Sequence, residues 1–198
     1  MAGNIGLHHS SANAVAAGRT PRAPAYTIRM NKPRITAAVP ADVPRILDMI
    51  RGLAEYERLS HLCIATDADI DAALFGDKPT AEVVLAWAGD TVAGFALFFH
   101  NFSTFLGRRG LYLEDLYVQP EFRGRGYGRA LLLHLAGLAV SRKCGRFEWS
   151  VLDWNASAIG FYQSLGASVL PDWRITRVTG VALEHMAQLS PVGAASSD

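Results

Sequence analysis

The chain has 198 residues, 50% of them hydrophobic and 19% charged, which suits one globular domain with a sizeable core. Its 19 basic and 18 acidic side chains leave a net charge of +1, so no field for nucleic acid or an anionic membrane surface is implied, and no transmembrane run is visible. The two cysteines, Cys63 and Cys144, lack Cys-x-x-Cys or histidine partner spacing and read as reduced thiols of a cytoplasmic protein, with no metal indicated.

Residues 1–33 are rich in Ala, Gly, Ser and Pro, with Arg19, Arg22, Arg29 and Lys32 but no acid before Asp42. They read as a disordered tail, although an arginine-bearing, acid-free stretch also fits a transit peptide. The folded pattern begins at Arg34, which makes Met30 a candidate translation start. A short strand is predicted over Arg34–Val39 and a helix over Ala41–Arg58, with Pro44 in its first turn and Ile46, Met49, Ile50 and Leu53 on one face. That helix ends on Tyr56 and Glu57. A second helix is predicted over Thr66–Phe75, where Thr66 and Asp69 have capping-box spacing and Gly76 is the stop. Residues 82–88 and 91–100 flank Gly89-Asp90 as a hairpin, and 101–110 read as a loop.

The apolar run Leu111, Leu113, Leu116, Val118 ends at Gln119-Pro120, and three glycines at alternate positions, Gly124, Gly126 and Gly128, then open a helix over 127–143. Leu131, Leu132, Leu135, Leu138 and Ala139 supply its buried side. Glycines at a helix N-terminus let a ligand approach the backbone, and the free N–H groups favour a phosphate. A plain capped turn is the simpler reading, but Arg123, Arg125 and Arg129 exceed what a turn needs. A dinucleotide fingerprint fits poorly because Arg129 stands where its third glycine belongs, although Glu148 could serve as the ribose acid. A P-loop is missing its hydroxyl, since Gly128-Arg129 is followed by Ala130. Beyond lie a strand over 146–152, a helix over 155–165 capped by Asn155 and stopped by Gly166, a strand over 173–178, a helix over 182–189 and a second tail over 190–198. Strands and helices without strict alternation predict an α/β fold with a mixed, partly antiparallel sheet and helices on both faces.

Arg123, Gly126 and Gly128 satisfy the pattern Arg/Gln-x-x-Gly-x-Gly/Ala, which resembles the acetyl-CoA pyrophosphate loop of the GNAT acetyltransferases. Four further blocks, Ala54-Glu55-Tyr56-Glu57, Tyr112-Leu113-Glu114-Asp115, Val151-Leu152-Asp153-Trp154-Asn155 and Phe161-Tyr162-x-x-x-Gly166-Ala167, look like the diamine (spermidine/spermine) and thialysine N-acetyltransferase branch, across residues 34–189. The resemblance implies acetyl-CoA as co-substrate, a small-molecule primary amine as acceptor, and a homodimer. It implies the GNAT fold, in which the central strand and the strand at 146–152 splay apart around the pantetheine arm. Leu116, Tyr117, Val118, Arg123, Gly124, Arg125, Gly126, Tyr127, Gly128, Arg129, Asn155 and Tyr162 are the implied cofactor residues, and Tyr56, Glu57 and Glu114 the implied substrate residues. Ser103-Thr104 stand where the polyamine-acetylating relatives carry an Asp, which favours the thialysine side, and only Asp172 remains of the acids those relatives place before Trp173.

Acetyl transfer to an amine needs a base for the ammonium, a hole for the carbonyl oxygen and a proton for the departing thiolate. Alternation alone sends Glu114 to solvent, whereas Asp115 beside it breaks the alternation and hints at a bulge that would re-aim side chains. By resemblance Glu114 is the base, the N–H of Leu116 or Val118 the oxyanion donor, and Tyr162 the general acid. By pattern alone Tyr162 reads equally as a core aromatic. A module that binds acyl-CoA as a sensor, or a protein or peptide N-acetyltransferase, are the other readings.

Overall fold

A computed structural model describes residues 33–190, which fall in the compact unit Pro33–Asp198. The tails expected over 1–33 and 190–198, and Met30, lie outside the described residues apart from Pro33 and Ser190. In order come β1 (Arg34–Ala37), α1 (Val43–Tyr56), α2 (Asp67–Phe75), β2 (Glu82–Ala88), β3 (Thr91–Ser103), β4 (Arg108–Val118), α3 (Tyr127–Ser141), β5 (Phe147–Trp149), α4 (Ala156–Ser164) and α5 (Gly180–Gln188). The sheet runs β1-β2-β3-β4-β5, antiparallel at every step except the parallel β4–β5 pair. This is the mixed sheet expected from the order of elements.

Each face of the sheet buries its own cluster. Ile46 and Met49 of α1 and Leu74 of α2 cover Leu85, Phe95 and Tyr117, while Leu131 and Leu135 of α3 cover Ala96, Phe98, Leu111 and Leu113. Each such large side chain contributes about 1.5–3 kcal/mol of transfer free energy. Local sequence sets the helix starts: Thr66 accepts from the Asp69 N–H while the Asp69 carboxylate accepts from the Thr66 N–H, closing the expected capping box. Before α1, the buried Asp42 accepts from the Val39 N–H and pairs with Arg45 at 2.9 Å.

Two features of β4 create the site. Leu97 pairs with Asp115 but Phe98 pairs with Leu113, so Glu114 is the extra residue of a bulge, as the broken alternation predicts. Secondly, β4 pairs with β5 only over Leu111–Leu113, so the half of β4 from Glu114 to Val118 has no neighbour on that side. The ladder with β5 ends at Leu113–Trp149, so the strands part after that pair, as the expected splay requires, and leave a gap beside the bulge.

Three expectations are corrected. The strand over 146–152 is reduced to Phe147–Trp149, because the ladder with β4 ends at Leu113–Trp149 and Ser150 to Leu152 have no strand pairing. The segment 101–110 is mostly strand: β3 runs on to Ser103 and β4 begins at Arg108, around a turn in which Ser103 Oγ accepts from the Leu106 N–H and Gly107 has φ +59°. The strand over 173–178 is not formed. Trp173 is 77% and Ile175 72% exposed, and a strand without a ladder partner has no hydrogen bonds to hold it.

Candidate active site

The glycine turn is built as its composition requires. Gly124 and Gly126 have φ of +72° and +86°, a left-handed conformation costly for any residue with a Cβ, and a Cβ at either would meet nothing within 4 Å. Gly126 is the N-cap of α3 and offers no side chain, so the N–H groups of Tyr127, Gly128 and Arg129 are uncapped among the described residues, while Ala130 already donates to Gly126 O at 2.9 Å. A Cβ on Gly128 would lie 3.7 Å from Val118 Cγ2, an ordinary contact, so packing does not demand glycine there. Open space, uncapped donors and a helix N-terminus fit a pyrophosphate.

Ladder parity decides where the β4 backbone points. Gln119 N donates to Ala93 O at 2.9 Å, which makes that pair and Tyr117–Phe95 the hydrogen-bonded ones. The N–H and C=O groups of Leu116 and Val118 are therefore turned away from β3 into the gap. The Val118 carbonyl is met there by Arg123, whose Nε donates at 2.9 Å. Arg123 does not extend over the glycines: its guanidinium lies 4.8 Å from the Tyr56 ring centroid and 5.5 Å from that of Tyr117. Arg125 rests on Phe122 at 5.8 Å. Of the three arginines, only Arg129 has neither a ring nor a carbonyl partner of this kind among the described residues.

The other rim gathers aromatic and acidic side chains from three elements. Tyr56 and Glu57 stand at the C-terminal end of α1, Trp154 in the turn before α4, and Tyr56 and Trp154 face each other at 6.1 Å between ring centroids. Both residues are exposed, 41% and 58%, so their rings are open to a ligand. Tyr162 on α4 is held edge-on by Trp149 at 5.0 Å and by Phe161 at 5.4 Å, so the core packing expected of it is real. Burial first, then the neighbouring Glu57 and Tyr56, push the Tyr162 phenol up, which keeps it protonated at neutral pH. Its hydroxyl has no hydrogen-bond partner among the described residues. Asn155 caps α4, its Oδ1 accepting from Ala158 N at 3.1 Å, which leaves only its amide nitrogen for a ligand.

Glu114 at the bulge is exposed, whereas Asp115 is half-buried. Burial, reinforced by Glu114 and Glu57, pushes the Asp115 carboxyl from 3.8 to about 6, and burial pushes Glu57 up as well. Sequence reasoning left Asp115 and Trp154 without roles. A second acid in an apolar strand and a tryptophan between Asp153 and Asn155 were the available signals.

The acetyltransferase (GNAT) family pattern matches residues 49–167 of this chain. The chain belongs to the GNAT acetyltransferase family. This acetyltransferase is 37% identical to a thialysine N-epsilon-acetyltransferase of Mus musculus, over 80% of this chain and 99% of the relative. It is 34% identical to an L-ornithine N5-acetyltransferase of Arabidopsis thaliana, over 79% of this chain and 89% of that one. Among solved structures it is similar to an integron cassette protein from V. cholerae, with a TM-score of 0.68, 26% identity, and coverage of 80% of this chain and 99% of that one. The enzyme therefore falls in the diamine and thialysine branch suggested by its five motif blocks, and it is an N-acetyltransferase. None of its helices among the described residues is long and apolar enough to cross a membrane.

Proposed function

We propose that residues 34–189 form one domain that transfers an acetyl group from acetyl-CoA to a primary amine of a small molecule of the thialysine, lysine or polyamine kind. The observation that carries this reading is the unpaired edge of β4 beside its bulge, followed by the glycine turn, whose Arg123 meets Tyr56, with Glu57, Trp154 and Tyr162 gathered around Tyr56. Acetyl-CoA supplies an acyl group already activated as a thioester. The turn from Gly124 to Arg129 holds its pyrophosphate through backbone N–H groups, and the outward backbone edges of Leu116 and Val118, with Tyr117 between them, line its pantetheine arm, with Asn155 beside it. Of the three arginines, Arg129 is best placed to add charge at the phosphates. Arg123 and Arg125, engaged with aromatic rings, shape the turn.

On the amine side, Tyr56 and Trp154 give an aromatic face to a cation, and Glu57 and Glu114 give it counter-charge. An alkyl ammonium has a pKa of about 10.4, so at neutral pH on the order of one molecule in a thousand is ready to attack. Glu114 takes its proton, the N–H of Leu116 or Val118 steadies the carbonyl oxygen, and the protonated Tyr162 gives a proton to the leaving sulfur. Names of relatives that act on thialysine and ornithine support a small dibasic amine as the acceptor. A homodimer in the cytoplasm completes the reading.

The test is release of free CoA thiol from acetyl-CoA across a panel of thialysine, lysine, ornithine, spermidine, putrescine, an aminoglycoside and a peptide. Thiol release with a small dibasic amine is expected. Stabilisation of the fold by acetyl-CoA with no amine acetylated would make the protein a binding module instead. Release confined to the peptide would make it a protein acetyltransferase.

A further inference from the structure

The two halves of the proposed site come from distant parts of the chain: the glycine turn follows β4, whereas Tyr56 closes α1. Arg123 touches both. It directly precedes Gly124, whose φ of +72° starts the left-handed part of the turn. Its Nε donates to Val118 O at 2.9 Å, on the edge of β4 that β5 leaves uncovered, so the turn is tied to that edge at its first residue. Beyond Nε, the guanidinium carbon lies 4.8 Å from the Tyr56 ring centroid and 5.5 Å from that of Tyr117. Both distances fall within the roughly 6 Å over which a cation is drawn to an aromatic face.

The two rings are held differently. Tyr117 is buried in the cluster under α1, and its hydroxyl occupies the space that Gly52 leaves open, 2.8 Å from where a Cβ would stand. Tyr56 is exposed at the last position of α1, so packing alone restrains its ring less. A surface ring of this kind has to be ordered when a ligand stacks on it, and that ordering weakens binding. Arg123, anchored at Val118 and lying over the fixed ring of Tyr117, restrains the Tyr56 ring before any ligand arrives. The charge fits the place as well: α1 has no basic residue in its last turn, and the guanidinium brings a cation to that end, where the helix dipole favours one. Arg123 forms no salt bridge among the described residues, so no carboxylate draws it off the rings. Arg125 lies over Phe122 instead, and Arg129 has no ring contact among the described residues, so neither meets a ring of α1.

Resting on the acetyl-transfer reading above, we infer that Arg123 is a positioning residue for the acceptor amine: it holds Tyr56 opposite Trp154, 6.1 Å away between ring centroids, so that the pair meets the amine as a preformed wall. In this role Arg123 touches no reacting atom. It acts through Tyr56, and the affinity for the amine therefore depends on a side chain supplied by the cofactor turn.

The test measures KM and kcat of the full chain by thiol release, for acetyl-CoA and for thialysine, or for the best acceptor of the panel if thialysine is not one. The variants are Arg123→Gln, Tyr56→Phe, Tyr56→Leu, and Arg123→Gln combined with each Tyr56 change. Arg123→Gln should raise the amine KM about three- to tenfold, with a smaller effect on kcat. Tyr56→Phe keeps the ring, so Arg123→Gln should raise the amine KM by the same factor in that background. Tyr56→Leu removes the ring: the amine KM should rise on its own, and adding Arg123→Gln should then change it by less than about twofold. Because KM does not depend on the folded fraction, the comparison holds even where a variant folds only in part. An amine KM that Arg123→Gln raises equally with and without the Tyr56 ring, or an effect confined to the KM for acetyl-CoA, would overturn the inference while leaving acetyl transfer intact. An inactive parent would instead sink the acetyl-transfer reading itself.

Discussion

Replacing Asp115 by asparagine exchanges a carboxylate that folding desolvates for a neutral amide of nearly the same shape. In the folded chain that carboxyl is pushed from 3.8 to about 6, so the folded state holds its proton more tightly than the unfolded state does. The stability tied to this proton is complete below pH 3.8 and is lost as pH rises through about 6. At full ionisation the difference is worth about 3 kcal/mol against the fold, of which about half is already lost near pH 5. The amide has its own unmet donors, worth about 1 kcal/mol, which offset part of the gain. Asp115→Asn is therefore expected to be more stable than the parent near pH 7.5, by about 1–2 kcal/mol, or roughly 2–8 °C in Tm for a chain of this size. Its advantage should shrink by about 1 kcal/mol near pH 5. Thermal unfolding followed by circular dichroism at the two pH values measures both quantities. Equal Tm differences at both values, or a variant less stable near pH 7.5, would refute the claim that Asp115 is a desolvated charge.

Tyr162→Phe keeps the packing on Trp149 and loses only a hydroxyl without an internal partner, so turnover should fall by roughly ten- to a thousandfold while Tm stays within a few degrees; steady-state kinetics and calorimetry check the two halves. Gly128→Val puts a side chain where phosphates would approach without requiring a left-handed backbone, so the KM for acetyl-CoA should rise about tenfold or more with the fold retained, whereas Gly126→Val would mix that effect with backbone strain. Leu135→Ala, in the core under α3 and away from the gap, should cost about 2–5 kcal/mol by urea unfolding and leave the turnover of the folded fraction unchanged. Light scattering at assay concentrations should give the mass of a dimer, and a monomer mass would remove that part of the reading.

Where the sequence was legible, one residue carried one dominant preference. Thr66 with Asp69, Asn155 before α4 and the helically spaced leucines of α3 each had a single low-energy use, and each is found in that use. Glu114-Asp115 announced the bulge because two acids in an apolar strand cannot both follow its alternation. What stayed hidden depended on distant neighbours. Whether Asp115 is buried is decided by where α1 ends, and whether residues 173–178 form a strand is decided by a partner edge that β5, three residues long, supplies only briefly. The strand content of 101–110 was masked by polar side chains, since Asn101 faces Glu148 and Ser103 closes the turn. The resemblance implied Arg123 as a cofactor residue, while its stacking on rings contributed by α1 and β4 depends on distant neighbours that the loop motif does not contain.

The central claim is that the chain moves one acetyl group from acetyl-CoA to the nitrogen of a small amine. Mass spectrometry of a reaction with acetyl-CoA and thialysine or ornithine, run beside a thiol assay, tests it most directly. The account predicts singly acetylated amine in amounts equal to the CoA thiol released, and a sharp drop in both with Tyr162→Phe. Thiol released without acetylated amine, or no product with any amine of the panel, would contradict it.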